Sequence, residues 1–170
     1  MAQVRIETEI AATPEEVREI ILDFARYSEW HSTFIQNINT IPPGKNSRKL
    51  LQGETLNAKI RGVKLVPIVK SNSSTELSWY GSTMGGAFSG KHYFQFIESH
   101  VTPGGTTFVH GEDYDGWMTW MFGKGIFGIK RSGVVRMYDG FSKDVKARAE
   151  EMKKLKDGIA KTQSDPWVKL

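Results

Sequence analysis

The sequence predicts an α+β fold in which a curved antiparallel sheet of about six to seven strands wraps around a long C-terminal helix, with two short helices after the first strand. The chain opens with an amphipathic strand and a capped helix, continues with segments of period two, and returns to a helical period only after Gly128. A sheet with one apolar face needs a cover, and the terminal helix is the only predicted element long and apolar enough to provide it.

The first strand and helix are the most regular part of the sequence. Residues 4–10 alternate apolar or threonine side chains with charged ones, which indicates an amphipathic strand. Thr13 is a suitable N-cap, with Glu16 three residues later, and a proline stands at the first helical position. We therefore predict a helix over about 14–23, followed by a short helical turn that ends near Trp30.

Large aromatic residues end this helical segment. Because aromatic side chains dominate the area that a core buries, we expect Tyr27 and Trp30 to pack the two helices against the end of the sheet. The next residue, His31, is expected to be solvated.

The middle of the chain, from about 33 to 115, is predicted to form strands. Turn-rich breaks such as "PPGKNS", "SNSS", "MGG" and "TPGG" divide it at the spacing of an antiparallel meander. The strand segments between these breaks are "TFIQNINTI", "RKLLQGETLNAKI", "VKLVPIVKS", "TELSWYGST", "GKHYFQFIES" and "TTFVHGEDYDG".

The C-terminal helix has an apolar stripe opposite a charged face. We expect it to end near Gly158, which gives a single domain over 1–158 and a flexible tail over 159–170. The stripe consists of Val134, Tyr138, Phe141, Val145, Ala149 and Met152.

The composition excludes several classes of function. The chain has 170 residues, a charged share of 25% and a mean hydropathy of −0.39, which are typical of one soluble globular domain. It has no cysteine, so disulfides, zinc-thiolate sites and thiol nucleophiles are excluded. The formal charge is +4, but the lysine-rich segment over 143–158 also contains four acidic residues, which favours a solvated helix face over nucleic-acid binding. A cytoplasmic protein without an integral membrane segment is expected, and the sequence does not predict its oligomeric state.

The run "TPEEVREIILDFARYSEWHSTF", the strand "GKHYFQF" and the segment "GTTFVHGEDYDGW" before a long terminal helix resemble the START and pollen-allergen-like superfamily, also called SRPBCC. Within it, the chain is most similar to the polyketide cyclase/dehydrase-like branch, from about 4 to 154. The resemblance implies a helix-grip fold around a deep hydrophobic cavity, which relatives use for lipids, sterols, hormones and polyketides. Some relatives only bind or carry their ligands, whereas others catalyse cyclisation, dehydration or condensation.

Two histidines and a carboxylate lie on the predicted apolar face of the last two strands. Pairing across a turn near Thr102 places His92 beside Glu112 and Phe94 beside His110, whereas a shift by two residues pairs the histidines. Either register brings His92, His110 and Glu112 together. An imidazole beside a carboxylate is an acid/base pair tunable near neutral pH, so these three residues are candidate catalytic groups. The alternative is that they satisfy one another or orient a ligand hydroxyl. Their spacing does not match a known zinc signature.

The segment over 117–127 combines large apolar residues with glycines and stands just before the long helix. We predict that it gates the cavity, with Gly123 and Gly125 allowing it to open, or else that it is ordinary core. Its "GKGIFG" lacks the strand–helix–strand context of dinucleotide binding, so no cofactor is predicted. Trp79 is either a cavity wall or outer-face packing. The candidate ligand contacts are Trp79, Phe94, Phe96, Phe108, Tyr114, Trp117, Trp120, Met121, Phe127, Tyr138 and Phe141.

Three functions are consistent with this sequence. The leading hypothesis is the binding of a hydrophobic small molecule, such as a lipid, sterol or polyketide, between sheet and helix. The second is a cofactor-independent cyclase, dehydratase or isomerase that uses the His/Glu cluster. The third is a chaperone-cofactor or interaction module, which predicts an exposed apolar patch and a filled interior.

Overall fold

The computed structural model describes residues 2–116 and 131–164, which form eight strands and three α-helices joined by turns and three short 3₁₀ segments. The elements in chain order are β1 (Ala2–Ile10), α1 (Pro14–Leu22), a 3₁₀ turn (Phe24–Arg26), α2 (Tyr27–Trp30), β2 (Ile35–Thr40), a 3₁₀ turn (Ser47–Lys49), β3 (Leu56–Ile60), β4 (Val63–Leu65), β5 (Ile68–Asn72), β6 (Glu76–Thr83), a 3₁₀ turn (Met84–Gly86), β7 (Phe88–Glu98), β8 (Thr106–Tyr114) and α3 (Arg131–Ser164).

The strands form two antiparallel sheets, one in the order β1-β8-β7-β6-β5 and the other in the order β2-β3-β4. The sheets are joined by a bridge between Thr55 and Ile68 and by a 2.8 Å hydrogen bond from the Val69 N–H to the Glu54 carbonyl. The predicted α+β fold is confirmed, but the strand count is eight. One additional strand arises because Pro67, which has no N–H to donate, separates β4 from β5 within a segment that was predicted to be continuous.

Helix α1 begins as the sequence predicts. The Thr13 hydroxyl accepts from the Glu16 N–H at 3.3 Å, and the Glu16 carboxylate accepts from the Thr13 N–H at 3.1 Å. This reciprocal capping box satisfies two of the free N–H groups at the helix start. Its apolar face then places Val17 and Ile21 in the core without exposure.

Helix α3 covers the inner face of the five-stranded sheet and packs on β1, β8 and α1. Five residues of the predicted stripe, from Val134 to Ala149, are no more than 3% exposed, and Met152 packs at the margin of the core. The helix continues to Ser164, so the predicted end near Gly158 is wrong and the first residues of the predicted flexible tail are helical. A glycine costs only about 1 kcal/mol inside a helix, which does not suffice to end one.

No helix in the described part of the chain is both long and apolar enough to span a bilayer.

Candidate functional site

The hairpin of β7 and β8 brings the predicted cluster together in the first of the two predicted registers. His92 pairs with Glu112, and Phe94 pairs with His110. Since paired residues share one face, all of these side chains point toward α3. The alternative register, in which the histidines pair directly, does not occur.

The two histidines form a buried hydrogen-bond chain that ends on α3. The Ser142 hydroxyl donates to the Tyr138 carbonyl at 2.9 Å, so its oxygen accepts from Nδ1 of His110 at 3.3 Å. The Nε2 atom of His110 is then free to accept from Nε2 of His92, 3.1 Å away. These contacts assign the Nδ1–H tautomer to His110 and place an Nε2–H on His92.

The other side of His92 faces Glu112 and Tyr138. The Nδ1 atom of His92 lies 3.4 Å from the Tyr138 hydroxyl and 3.6 Å from Oε2 of Glu112. The Tyr138 hydroxyl donates to that same carboxylate oxygen, and the Tyr114 hydroxyl lies 3.4 Å from the Tyr138 hydroxyl. A continuous polar chain therefore runs from Ser142 on α3 to the carboxylate of Glu112.

The surroundings fix the charges along this chain. Burial, and then the positive charge that His92 carries when protonated, hold the pKa of His110 well below its ordinary value. Burial works against ionisation of Glu112, but the hydrogen bond and charge of His92 and the hydroxyl of Tyr138 outweigh it, so the pKa of Glu112 is lowered. Burial and the charge of Glu112 raise the pKa of Tyr138. At neutral pH, His110 is an uncharged imidazole, Glu112 is a carboxylate and Tyr138 is a hydrogen-bond donor.

Only one member of the chain reaches solvent appreciably. The Glu112 side chain retains 22% of its exposure, whereas His92 retains 3% and His110 none. Trp79 lies flat on His92, with ring centroids 4.9 Å apart and planes 4° apart. This contact decides the orientation of Trp79, which lies on the inner face with 2% exposure.

Two glycines lie beside this row on the inner face. Gly81 of β6 pairs with Gly90 of β7, one inward-facing position beyond the pair of Trp79 and His92. A Cβ atom at Gly90 would lie 3.0 Å from Oε1 of Glu112, so the carboxylate leans over this glycine. No described residue lies within 4 Å of a Cβ atom placed at Gly81. This end of the sheet therefore combines a glycine that no described side chain covers, the aromatic ring of Trp79 and an ionised carboxylate.

The remaining predicted ligand contacts fall into two groups. Phe94, Phe96, Phe108 and Phe141 are at most 1% exposed, and their rings pack on one another between the sheet and α3. Their role as ligand contacts stays a prediction. The predicted gate and its residues Trp117, Trp120, Met121, Phe127, Gly123 and Gly125 lie outside the described residues.

His31 is buried, although the sequence led us to expect it in solvent. It is 4% exposed, and its Nε2 accepts from the Phe34 N–H at 2.9 Å. Its Nδ1–H therefore donates to the carboxylate of Asp144 at 2.8 Å. The expectation of a solvated His31 is wrong because α3 supplies this partner from 113 residues away, which local sequence does not reveal.

The aromatic residues next to His31 also contact α3, in addition to the predicted packing of the short helices against strands. The ring of Tyr27 lies 4.9 Å from that of Trp30, and both rings contact Phe141 of α3, at 6.2 Å and 5.6 Å. They attach the two short helices to α3.

Within residues 2–116 and 131–164, the structure has no cluster of three or more acidic or histidine side chains arranged to hold a metal ion.

Solved structures share this fold at low sequence identity. A START superfamily protein from Mycobacterium smegmatis is 16% identical, with a TM-score of 0.60 over 88% of this chain and 98% of that one. A hypothetical protein from Helicobacter pylori is 12% identical, with a TM-score of 0.65 over 87% of this chain and 88% of that one. DynU16, from the dynemicin biosynthetic locus, is 15% identical, with a TM-score of 0.52 over 89% of this chain and 47% of that one. At these identities the likeness concerns the fold alone.

The sequence itself matches one family model. No curated protein matches it significantly. The family described as "Polyketide cyclase / dehydrase and lipid transport" matches residues 1–150. Because this match covers most of the chain and the helix-grip fold accompanies it, the protein belongs to the polyketide cyclase/dehydrase and lipid transport family.

Proposed function

We propose that the protein binds a hydrophobic small molecule that carries a hydroxyl or carbonyl group, over the glycine pair at one end of the inner sheet face. The observation that carries this proposal is the space above Gly81, which no described residue fills and which Trp79 and the carboxylate of Glu112 border. Small-molecule sites are mostly apolar and concave, with a few converging polar groups, and this end of the sheet has that composition.

The chemistry of Glu112 restricts the ligand. An ionised carboxylate accepts hydrogen bonds but donates none, so it favours a ligand hydroxyl and repels an acidic headgroup. The Tyr114 hydroxyl, which lies on the same row as the glycines, hydrogen-bonds within the cluster of Tyr138 and Glu112, and a ligand carbonyl can take the place of its acceptor there. Lipids, sterols and polyketides that present a hydroxyl or ketone fit this pair better than free fatty acids do.

A ligand panel tests this function. Purified protein is titrated with a hydroxylated sterol, a polyketide-like aromatic ketone, a diacylglycerol and a fatty acid, monitored by native mass spectrometry and tryptophan fluorescence. We expect a hydroxyl- or ketone-bearing member to bind in a 1:1 complex and to change the fluorescence through Trp79. The absence of binding by every member would contradict the proposal.

A substitution at Gly81 locates the site. Gly81→Val should fill the space above Gly81 and weaken binding at least about tenfold, whereas we expect the fold to tolerate it because a Cβ atom there meets no neighbour within the described ranges. Ser82→Val is the matched control, since it places the same side chain on the opposite, exposed face of β6. Equal affinities in the two variants would place the ligand elsewhere.

A second function is favoured by the hydrogen-bond chain from Ser142 to Glu112. In a cyclase, dehydratase or isomerase, the Glu112 carboxylate takes a proton from the carbon next to a ketone, and the electron pair of that C–H bond moves onto the carbonyl oxygen. The resulting enolate then attacks a second carbonyl, expels a β-hydroxyl group as water after its protonation, or is reprotonated at another carbon. The chain of Tyr138, His92 and His110 redistributes the proton that Glu112 gains.

Catalysis and binding are separated by Glu112→Gln, which keeps the shape of the side chain and removes the base. A catalytic role predicts a loss of turnover of at least about a hundredfold with ligand affinity changed only a few-fold. If turnover falls only in proportion to affinity, Glu112 is a binding residue.

A further inference from the structure

The formal charge of the protein is concentrated in one segment. Residues 55–75 contain four lysines or arginines and no aspartate or glutamate, whereas the rest of the chain is formally neutral. This segment comprises β3, β4, β5 and their connections. The net charge of +4 therefore comes from this one segment of the chain.

The cations of this segment have no ion-pair partner among the described residues. Other basic residues are paired, such as Lys45 with Glu54. In contrast, the four cations of the segment are exposed and make no salt bridge within the described ranges, although the amine of one of them lies 5.5 Å above a tyrosine ring. These four residues are Lys59, Arg61, Lys64 and Lys70.

Two features of this ribbon reduce its own stability. Lys59 of β3 lies directly opposite Lys64 of β4, and like charges in such a pair repel each other. Arg61 has a φ of 52° and Gly62 a φ of 80°, as a two-residue type I′ turn requires. Asparagine or aspartate is preferred at the position of Arg61, since a residue with a long side chain is disfavoured there. Both features place positive charge at or beside the turn, although other residues at these positions would make the fold more stable.

Exposed aliphatic side chains are interspersed with these charges. Val63 is 50% exposed, Val66 63% and Ile68 40%. Surface segments that combine cations with apolar side chains bind lipid interfaces, because the apolar groups enter the headgroup boundary while the cations contact anionic headgroups. We propose that residues 59–70, here termed the basic ribbon, dock on an anionic lipid surface.

The basic ribbon lies next to the site described above. The Arg61 N–H donates to the Phe34 carbonyl at 3.0 Å, and the Phe34 ring lies 4.8 Å from that of Tyr138. The charge of Arg61 also acts on Tyr114, where it partly offsets the burial that raises the pKa of that hydroxyl. Docking through the basic ribbon brings the Glu112 end of the sheet toward the lipid. This inference adds a partner and does not rest on the proposed ligand.

A nucleic acid is the competing anionic partner, and the exposed side chains of the ribbon favour lipid. Proteins that bind single strands stack bases on aromatic side chains. The basic ribbon has no aromatic residue, and its exposed apolar residues are valine and isoleucine. Aliphatic side chains gain free energy from insertion into acyl chains but offer no aromatic face on which a base can stack.

The test is sedimentation of the full, ligand-free chain with vesicles of phosphatidylcholine alone or with about 30% phosphatidylserine. We expect binding only to the anionic vesicles, weakened by salt because the Debye length shortens. Each lysine near an anionic surface contributes about fivefold in affinity, so Lys59→Gln with Lys64→Gln should weaken binding about 30-fold. Lys153→Gln with Lys154→Gln on α3 is the charge-matched control and should weaken it less than about threefold.

Two further variants separate docking from folding. Arg61→Asn should raise the melting temperature, because asparagine suits the turn, and should also weaken vesicle binding. Val63→Ser with Val66→Ser should weaken binding about tenfold at unchanged charge.

Three results would overturn the inference. The first is that equal amounts of protein sediment with neutral and with anionic vesicles, or that no protein sediments with either. The second is an equal loss in the α3 control, which would assign binding to net charge. The third is tighter binding to a single-stranded oligonucleotide with the same dependence on Lys59 and Lys64, which would assign the ribbon to nucleic acid.

Discussion

The two ends of the inner sheet face are built from the same strands but have different properties. At one end Phe96 pairs with Phe108, and both are buried in a stack of aromatic rings. At the other end, four residues along β7 and β8, His92 pairs with Glu112 beside the pair of Gly81 and Gly90. The alternation that buries phenylalanine at one end also turns a carboxylate inward at the other. This difference leads us to propose that one end supplies the stability of the fold and the other its ligand site.

The largest effect should follow from a cavity at the aromatic end. Phe108→Ala removes a fully buried ring, so we expect the free energy of unfolding to fall by about 3–5 kcal/mol in urea denaturation. If this variant does not fold, Phe108→Leu gives a milder test. Ligand affinity of the folded protein should be unchanged. A loss below about 1 kcal/mol would show that this end is not the stabilising one.

A smaller effect is expected at the polar end. Glu112→Gln keeps an acceptor for the Tyr138 hydroxyl but removes the charge, so the free energy of unfolding should fall by about 1–2 kcal/mol at pH 7. Glu76→Gln on the outer face of β6 provides a control in which the carboxylate is also hydrogen-bonded. The comparison fails if Glu112→Gln destabilises the protein as strongly as Phe108→Ala.

The buried histidine predicts a pH dependence. The unfolded chain protonates His110 near pH 6.5, but the folded protein keeps it neutral because its pKa is held well below that value. The contribution of His110 to stability is therefore complete above pH 6.5 and is lost as the pH falls below it, with a slope of at most about 1.4 kcal/mol per pH unit. Urea denaturation between about pH 5 and 7 should show this slope, and His110→Gln should reduce it. An unchanged slope in that variant would assign the dependence to another group.

The smallest effect is expected outside both ends, at the pair of His31 and Asp144. The Asp144 side chain is 46% exposed, so Asp144→Asn should cost less than about 1 kcal/mol. His31→Ala should cost more, because it leaves the buried Phe34 N–H without its acceptor. Thermal denaturation of the two variants checks this order, and the reverse order would mean that the hydrogen bond to Asp144 contributes more than the acceptor for the Phe34 N–H.

The shared face of the cluster was predictable from the sequence because residue alternation specifies it, but the sequence left two registers open. The structure has the first of them, in which His92 pairs with Glu112 and Phe94 with His110. The contact of Tyr138 with Glu112 was not predictable, because it depends on how α3 is rotated above the sheet.

Two further features, the glycine pair and the basic ribbon, were not predicted from the sequence. The glycine pair was overlooked because a glycine within a strand pattern carries no side chain to signal its direction. The basic ribbon was not predicted because the densest run of lysines lies in α3. The ribbon has fewer lysines and stands out only because it lacks acidic residues.

The most direct test of the two-ended face is an NMR titration of ¹⁵N-labelled protein with the ligand that the panel identifies. We expect the amide signals of Gly81, Gly90 and Glu112 to shift and to saturate with the Kd measured by fluorescence, while those of Phe96 and Phe108 stay in place. Shifts confined to Phe96 and Phe108 would contradict this expectation and place the ligand at the aromatic end.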